Sequence, residues 1–158
     1  KKLSVTIPAG IDDGERVGLP GQGNDGRNGG PTGDLILIIT VRPHPIFERE
    51  GYDIYCEVPI TFVEAALGAE IDVPTLEGRI KYTIPEGTQT GTTFTLRGKG
   101  IQHVHSTKRG DLKFSVHVEV PKGLTEQQKE LLRKFAESCS PANNSKKTNF
   151  FNRFFGKQ

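Results

Sequence analysis

Apolar and polar residues alternate in three stretches of the chain, at residues 2–7, 16–19 and 112–118. A period of two places alternate side chains on opposite faces of an extended backbone, so each stretch predicts a half-buried β-strand. A turn sequence at 75–78 separates segments 70–73 and 79–84, which predicts a β-hairpin. Just before the hairpin, Phe62–Leu67 predicts a short helix that ends at Gly68.

An internal repeat with an offset of 77 residues organises the chain. Residues 6–41, called the first repeat below, match residues 83–118, the second repeat, without a gap. Most matched positions are glycines, a proline or alternating apolar residues. Glycines at fixed positions indicate positive φ angles or close approach of two backbones. The repeat therefore predicts two copies of one β-rich unit.

The surroundings of the two repeats differ, which predicts unequal domains. A strand–helix–strand module at 53–78 precedes the second repeat, whereas the first repeat starts close to Lys1. We therefore expect an all-β protein with two tandem β-sandwich-like domains, a partial one over 1–52 and a complete one over 53–121. Because the chain opens with lysine, we also expect it to be a fragment of a longer protein.

The segment after residue 121 predicts helix instead of strand. Thr125 followed by Gln128 is a capping-box pattern, and the apolar residues after it fall on one helical stripe. We expect a dimerisation helix over 122–138, then a linker and a Phe-rich amphipathic tail over 139–158, with the flexible part at 138–148. The apolar stripes would stay unburied in a monomer, so a homodimer is expected. Its predicted contact residues are Leu131, Leu132, Phe135, Phe150, Phe151, Phe154 and Phe155.

Charge and composition narrow the choice of partners. The net charge is +2, but residues 139–158 carry four cations and no acidic residue, so the rest of the chain is slightly acidic. A general nucleic-acid partner is therefore not expected. No stretch reaches the roughly 18–20 apolar residues that span a bilayer, so no membrane partner is expected. No signal peptide is visible, and we expect a cytoplasmic protein.

Two motifs could indicate a nucleotide-binding or catalytic site, but their surroundings favour strand connections and turns. Residues 21–26 match the GxGxxG pattern, but the glycines and Pro31 that follow cannot start the helix of a dinucleotide site. Asp34 and Asp111 follow glycines at equivalent repeat positions, which favours turns over catalysis. No enzymatic activity is expected.

The metal-ligand and disulfide signals are weak as well. His103 and His105 would share one face of an extended segment, but two imidazoles leave a zinc site unfinished, so no metal is expected. Cys56 and Cys139 form no CxxC pair, and nothing else indicates an oxidising compartment, so no disulfide is expected.

The predicted strand at 35–39 is apolar on both faces. Its counterpart at 112–116 has Lys113 and Ser115 on one face, so Ile36 and Ile38 give the first repeat an extra apolar face. A neighbouring sheet or another module would cover this face in one interpretation. In the other, it forms a groove for an extended peptide.

Several longer motifs resemble the C-terminal region of bacterial DnaJ, the J-domain co-chaperone with a zinc-binding insertion. His44–Asp53 is similar to the HPxFxRxGxD segment of that family. Further similar segments lie at 66–68, 74–78, 87–91, 97–100 and 124–132. The resemblance extends over essentially the whole chain, including the Phe-rich tail.

This resemblance implies binding of unfolded or extended apolar polypeptide, and its delivery to a DnaK-type chaperone. It places the peptide pocket in the first domain, at Leu3 and Leu37, whereas the repeat comparison selects Ile36 and Ile38 on the opposite face. The sequence contains neither the zinc cysteines nor the J domain of the family. No cofactor is therefore expected here, and zinc would belong to the absent cysteine-rich region.

Two functions of other classes remain open from the residues alone. One is a β-sandwich carbohydrate-binding module, although the chain has no Trp and three Tyr to stack on sugars. The other is contact with nucleic acid or a membrane through the basic, Phe-rich tail as an interfacial helix. Removing 139–158 and testing lipid and DNA binding would separate this function from dimerisation.

Overall fold

Residues 2–156 are described by the computed structural model, and they contain eight β-strands, all before residue 120. The strands are β1 Arg16–Leu19, β2 Leu35–Ile38, β3 Glu48–Glu50, β4 Asp53–Thr61, β5 Ala69–Thr75, β6 Gly78–Ile84, β7 Thr93–Leu96 and β8 Leu112–Glu119. The α-helices are α1 Phe62–Leu67, α2 Glu126–Ser138 and α3 Ser145–Phe155. The predicted fold class, all-β with a C-terminal helix and tail, is confirmed.

The chain divides into two compact units, Lys1–Glu119 and Val120–Gln158. The first unit contains both repeats, and the second contains α2 and α3. The finer domain boundaries predicted from the sequence, after residues 52 and 138, stay predictions.

A four-stranded sheet with the order β3-β4-β8-β7 forms the centre of the first unit. The strands β4 and β8 run parallel, and the other pairs are antiparallel. The predicted hairpin is present as β5 and β6, which pair from Ala69–Ile84 to Thr75–Gly78. Apolar side chains of β4 and β8 share one buried core with Ile71, Val73 and Ile84 of the hairpin. Two sheets that enclose one core give this part its β-sandwich-like form.

Helix α1 begins and ends as its sequence predicts. The Thr61 amide donates to Glu64 Oε1 at 2.9 Å, and the Glu64 amide donates to Thr61 Oγ1 at 3.1 Å, which completes a capping box. The helix ends at Gly68, whose φ of +74° favours glycine. A β-carbon at Gly68 would also lie 2.9 Å from the Glu86 amide nitrogen, so this position requires the smallest residue.

The two repeats form the same antiparallel ladder. Arg16 pairs with Ile38 in the β1–β2 ladder, and the residues 77 positions later, Thr93 and Ser115, pair in β7 and β8. The turns match too, since Gly23 donates to the Gly33 carbonyl at 2.7 Å and Gly100 to the Gly110 carbonyl at 2.8 Å. The repeated sequence therefore encodes a repeated hydrogen-bond pattern.

The predicted strand through Leu3 and Ile7 is absent, since none of the strands among residues 2–156 includes this segment. Its counterpart in the second repeat lies in β6, which pairs with β5. Within residues 2–156, no segment lies beside 2–7 as β5 lies beside β6. Alternation predicts which face of a strand is apolar, but a strand also needs a partner for its backbone groups.

The C-terminal unit has the predicted capping box at Thr125, and it contains helical elements within the segment predicted as a linker. Residues expected to be flexible form a 3-10 turn at Pro141–Asn144 and the start of α3. The Ser140 amide donates to Asn143 Oδ1 at 2.8 Å, and Pro141 occupies the first helical position, where its missing N–H costs nothing. Polar residues of this segment thus include the capping residues of a short helical turn.

Candidate peptide-binding site

Strand β2 carries three of the four residues predicted to bind peptide. These three residues pair with β1 as Ile36–Gly18, Leu37–Val17 and Ile38–Arg16. Because successive side chains of a strand point to opposite faces, Leu37 lies on one face, and Ile36 and Ile38 lie on the other. The structure thus keeps the two sequence-based candidate faces apart.

The outer face of β2, formed by Ile36 and Ile38, is open. The two residues are 58% and 68% exposed. The neighbouring Gly18 adds no side chain, and a β-carbon built there would meet nothing within 4 Å. Exposed isoleucines on a short two-stranded ladder form an apolar surface that a ligand can cover.

The face that carries Leu37 is half-buried. Its counterpart in β8, Phe114, has 0% exposure and packs its ring against Tyr82 and Phe94, with centroids 5.2 and 5.3 Å away. Leu37 is less buried than Phe114, because its exposure is intermediate. This face of the first repeat therefore retains accessible apolar area.

Leu3, the fourth predicted residue, lies outside the β1–β2 ladder and is 40% exposed. Strand pairing therefore does not bring it together with Leu37. Its segment leads into the turn at Pro8–Asp12, where the Ile11 amide donates to the Pro8 carbonyl at 3.4 Å.

The two candidate catalytic aspartates form turns. Asp34 Oδ1 accepts the Gly21 amide, and Asp111 Oδ1 accepts the Gly98 amide, both at 3.0 Å. The GxGxxG segment is followed by a 3-10 turn at Arg27–Gly29 and not by an α-helix. These residues shape the strand connections, as their repeat positions predict.

The residues considered as metal ligands do not come together at one position. Among residues 2–156, no three His, Cys, Asp or Glu side chains converge on a possible metal position. His103 stacks on the Tyr52 ring, with centroids 3.8 Å apart. Cys56 and Cys139 are free thiols, and burial raises the pKa of Cys56, so its thiol stays protonated at neutral pH.

The predicted dimerisation residues lie on two amphipathic helices. Helix α2 carries Leu131, Leu132 and Phe135, and helix α3 carries the four phenylalanines. All seven side chains are exposed in the monomer, and neither helix has a buried residue. On α3 the rings line up along the helix, with centroids 4.9 Å apart for Phe150–Phe154 and 5.8 Å for Phe151–Phe155.

Comparison with models of known protein families shows to which family the chain belongs. The model of the DnaJ C terminal domain matches residues 1–121, and the model of the Chaperone protein DnaJ C-terminal region matches residues 127–155. The chain belongs to the DnaJ C-terminal domain family. Within residues 2–156, this DnaJ C-terminal domain has no helix that is both long and apolar enough to cross a membrane.

Relatives of this DnaJ C-terminal domain carry the name Chaperone protein DnaJ. The relative from Acetivibrio thermocellus is 57% identical over 152 residues, which cover 96% of this chain and 39% of the relative. The relative from Bacillus velezensis is 52% identical over 97% of this chain and 41% of its own length. The relative from Burkholderia mallei is 56% identical over 89% of this chain and 37% of its own length. The chain therefore spans about two fifths of these relatives.

The outer side of the four-stranded sheet has a groove of about 390 Å³, which the sequence analysis did not predict. It is lined by Ile46, Glu48, Tyr55, Cys56, Glu57, Thr93, Lys113 and Ser115. The Lys113 ammonium lies 3.7 Å from Asp53 Oδ2 and 5.7 Å from the Tyr55 ring centroid. Tyr55 and then Asp53 raise the pKa of Lys113, so it remains a cation at neutral pH. The repeat comparison showed that Lys113 and Ser115 replace Ile36 and Ile38, but it gave no signal for a groove beside them.

Proposed function

We propose that this chain is the client-binding and dimerisation part of a DnaJ-type co-chaperone. It would bind extended apolar segments of unfolded polypeptides at the first repeat and pass them to a DnaK-type chaperone. The observation that carries the proposal is the composition of β2, which exposes isoleucines where β8 presents a lysine and a serine. Membership of the DnaJ family supports the class of partner. In this proposal the role is non-enzymatic and the location cytoplasmic, as the resemblance implies.

The chemistry of β2 suits an extended apolar ligand. Covering an exposed Ile or Leu side chain contributes about 1.5–3 kcal/mol when burial is complete. Ile36 and Ile38 are each more than half exposed, so together they offer about 2–4 kcal/mol to a ligand. That contribution, with a few backbone hydrogen bonds, corresponds to dissociation constants between about 1 mM and 1 μM.

Peptide titration of matched variants tests this proposal and separates the two faces. A fluorescent apolar peptide is titrated with the wild-type chain, with Leu37→Ala, and with the double variant Ile36→Ser/Ile38→Ser. We expect at least one of these changes to weaken binding about tenfold or more, which is the loss of about 1.4 kcal/mol. The double variant changes only exposed side chains, so the fold should be retained.

The control variant changes the equivalent two positions of the second repeat. Lys113→Ala/Ser115→Ala changes the outer face of β8 and should leave peptide affinity within about twofold. Binding that survives both first-repeat variants and disappears in this control would refute the location of the site.

We also propose that the C-terminal unit holds two copies of the chain together. Seven large apolar side chains on α2 and α3 are exposed, and exposed apolar patches rimmed by polar residues mark protein–protein contacts. Mutual burial of the phenylalanine faces would remove them from water, with about 1.5–3 kcal/mol for each side chain that is fully covered.

Sedimentation equilibrium tests this dimer. We expect the wild-type chain to sediment as a dimer at tens of micromolar, and Phe150→Ser/Phe154→Ser to shift it toward the monomer. Asn152→Ser, a polar change on the same helix, should leave the association unchanged. A wild-type chain that remains a monomer at these concentrations contradicts the proposal.

A further inference from the structure

Arg49 makes contacts that neither peptide binding nor dimerisation uses. It lies on β3, at the edge of the four-stranded sheet, within the segment His44–Asp53 that resembles the family motif. Its side chain is 20% exposed, which is low for an arginine on an edge strand. The low exposure indicates that the Arg49 side chain is held in contact with other parts of the first unit.

The guanidinium group of Arg49 reaches across to the first repeat. One terminal nitrogen donates to the Gly10 carbonyl at 2.7 Å, and the other donates to the Ile11 carbonyl at 2.8 Å. Nε donates to the Gly51 carbonyl at 2.8 Å and lies 3.5 Å from a carboxylate oxygen of Asp12. This planar group thereby connects the turn at 8–12 to the hairpin of β3 and β4.

A second contact lies at the same turn, on the backbone of Gly10. A β-carbon at Gly10 would lie 1.8 Å from the Gln102 carbonyl oxygen, and the φ of Gly10 is +89°. The backbone of the first repeat thus packs directly on a loop of the second repeat. No side chain larger than hydrogen fits between them.

The second repeat uses the equivalent turn differently. At Gly87, the counterpart of Gly10, a β-carbon would meet nothing within 4 Å. Its turn bonds to helix α1 instead, since the Gly87 and Thr88 amides donate to the Ala66 and Ala65 carbonyls at 3.2 and 3.0 Å. Contact with Arg49 and Gln102 is therefore specific to the first repeat and does not follow from the repeated sequence.

We propose that Arg49 and the turn at Gly10–Asp12 form a joint that fixes the orientation of the first repeat relative to the four-stranded sheet. The covalent connection between β2 and β3 is residues 39–47, which contain no strand and so do not by themselves fix this orientation. The joint also anchors the segment that carries Leu3, because that segment enters the turn at Pro8. The turn is tied to the end of β2, where the Val41 amide donates to Asp13 Oδ1 at 2.8 Å. Arg49 is thus a positioning residue for the proposed peptide site.

Residual dipolar couplings of backbone amides in the full chain test the joint. Couplings from β1 and β2 are fitted separately from those of β4, β5 and β8. The wild-type chain should give one alignment tensor for both groups. Arg49→Met should give two tensors, with a lower degree of order for β1 and β2. One shared tensor in Arg49→Met, or two tensors in the wild-type chain, would overturn the proposal.

Two further variants exclude loss of folding as the explanation. Arg49→Lys keeps the charge beside Asp12, but one ammonium cannot reproduce the planar fork, so an intermediate loss of order is expected. Arg109→Met removes another arginine, whose NH1 lies 2.6 Å from Glu77 Oε1, and should leave one tensor. Retained amide shifts in β2 and β8 show that each variant is folded.

Peptide binding by the same variants is a second measurement, and it rests on the proposed function. The dipolar couplings do not depend on that function. If the wild-type chain binds an apolar peptide, Arg49→Met should weaken binding by about threefold or more, while Arg109→Met leaves it unchanged. Unchanged binding in Arg49→Met would overturn the positioning role. A wild-type chain that binds no peptide refutes the proposed function, and the couplings still decide whether the joint exists.

Discussion

Leu37 and Phe114 occupy the same position of the repeat, so one substitution made at both positions separates stability from binding. Phe114 has 0% exposure and contacts two aromatic rings. Phe114→Ala should therefore cost about 3–5 kcal/mol, the usual range for removing a buried aromatic side chain. Leu37 is only half-buried, so Leu37→Ala should cost about half of the usual 2–5 kcal/mol, or about 1–2.5 kcal/mol.

Urea unfolding followed by circular dichroism measures both effects. With a slope of about 2 kcal/mol per molar urea, Phe114→Ala should lower the midpoint by about 1.5–2.5 M, and Leu37→Ala by about half as much. With a ligand on the Leu37 face, peptide titration of the folded proteins should show the opposite order, with affinity reduced more by Leu37→Ala. The reasoning is refuted if Leu37→Ala is the more destabilising change, or if Phe114→Ala keeps the wild-type midpoint.

Three further predictions follow from contacts in the first unit. Gly100→Ala would place a β-carbon 2.5 Å from two backbone atoms and should destabilise by about 1–3 kcal/mol or more in thermal unfolding, whereas Gly18→Ala enters open space and should be tolerated. Asp111→Ala removes an acceptor for a backbone amide and should cost about 0.5–1.5 kcal/mol in the same assay, and Asp111→Asn, which keeps an acceptor oxygen, should cost less. The hydrogen bond from Lys81 lowers the pKa of Asp72 below its ordinary 3.8, so the stabilisation from this pair is present at neutral pH and is lost as the pH falls through the lowered pKa. In an NMR titration, Lys81→Met should return the Asp72 pKa toward 3.8, and an unchanged pKa would contradict the assignment.

The sequence predicts those elements whose signals are local or repeated. Helix α1 has its cap and its final glycine within a few residues, and the β5–β6 hairpin has its turn between two matched strands. Asp34 and Asp111 could be assigned to turns because both repeats place them after glycine. The exposed Ile36 and Ile38 were indicated by comparing one repeat with the other.

The features that sequence reasoning missed depend on distant contacts. The alternating segment 2–7 has the pattern of a strand but no partner strand among residues 2–156, and alternation carries no information about pairing. The polar segment before α3 resembles a linker in composition, yet Pro141 and Asn143 form a helix start. The bonds from Arg49 to Gly10 join positions 39 residues apart, and no spacing rule indicates them.

For the peptide-binding site, the location of Leu37 on β2 was predictable and its relation to Leu3 was not. The resemblance selects both residues, but the structure shows strand contacts only for Leu37. The two faces of β2 offer different ligand surfaces, and the variants Leu37→Ala and Ile36→Ser/Ile38→Ser each remove one of them.

The most direct test of the central claim is an amide NMR titration of the wild-type chain with an extended apolar peptide. Resonances of β1 and β2 should shift progressively and saturate, while those of β7 and β8, the same ladder in the second repeat, should stay in place. Shifts confined to β7 and β8, or no shifts at millimolar peptide, would contradict a client-binding site in the first repeat.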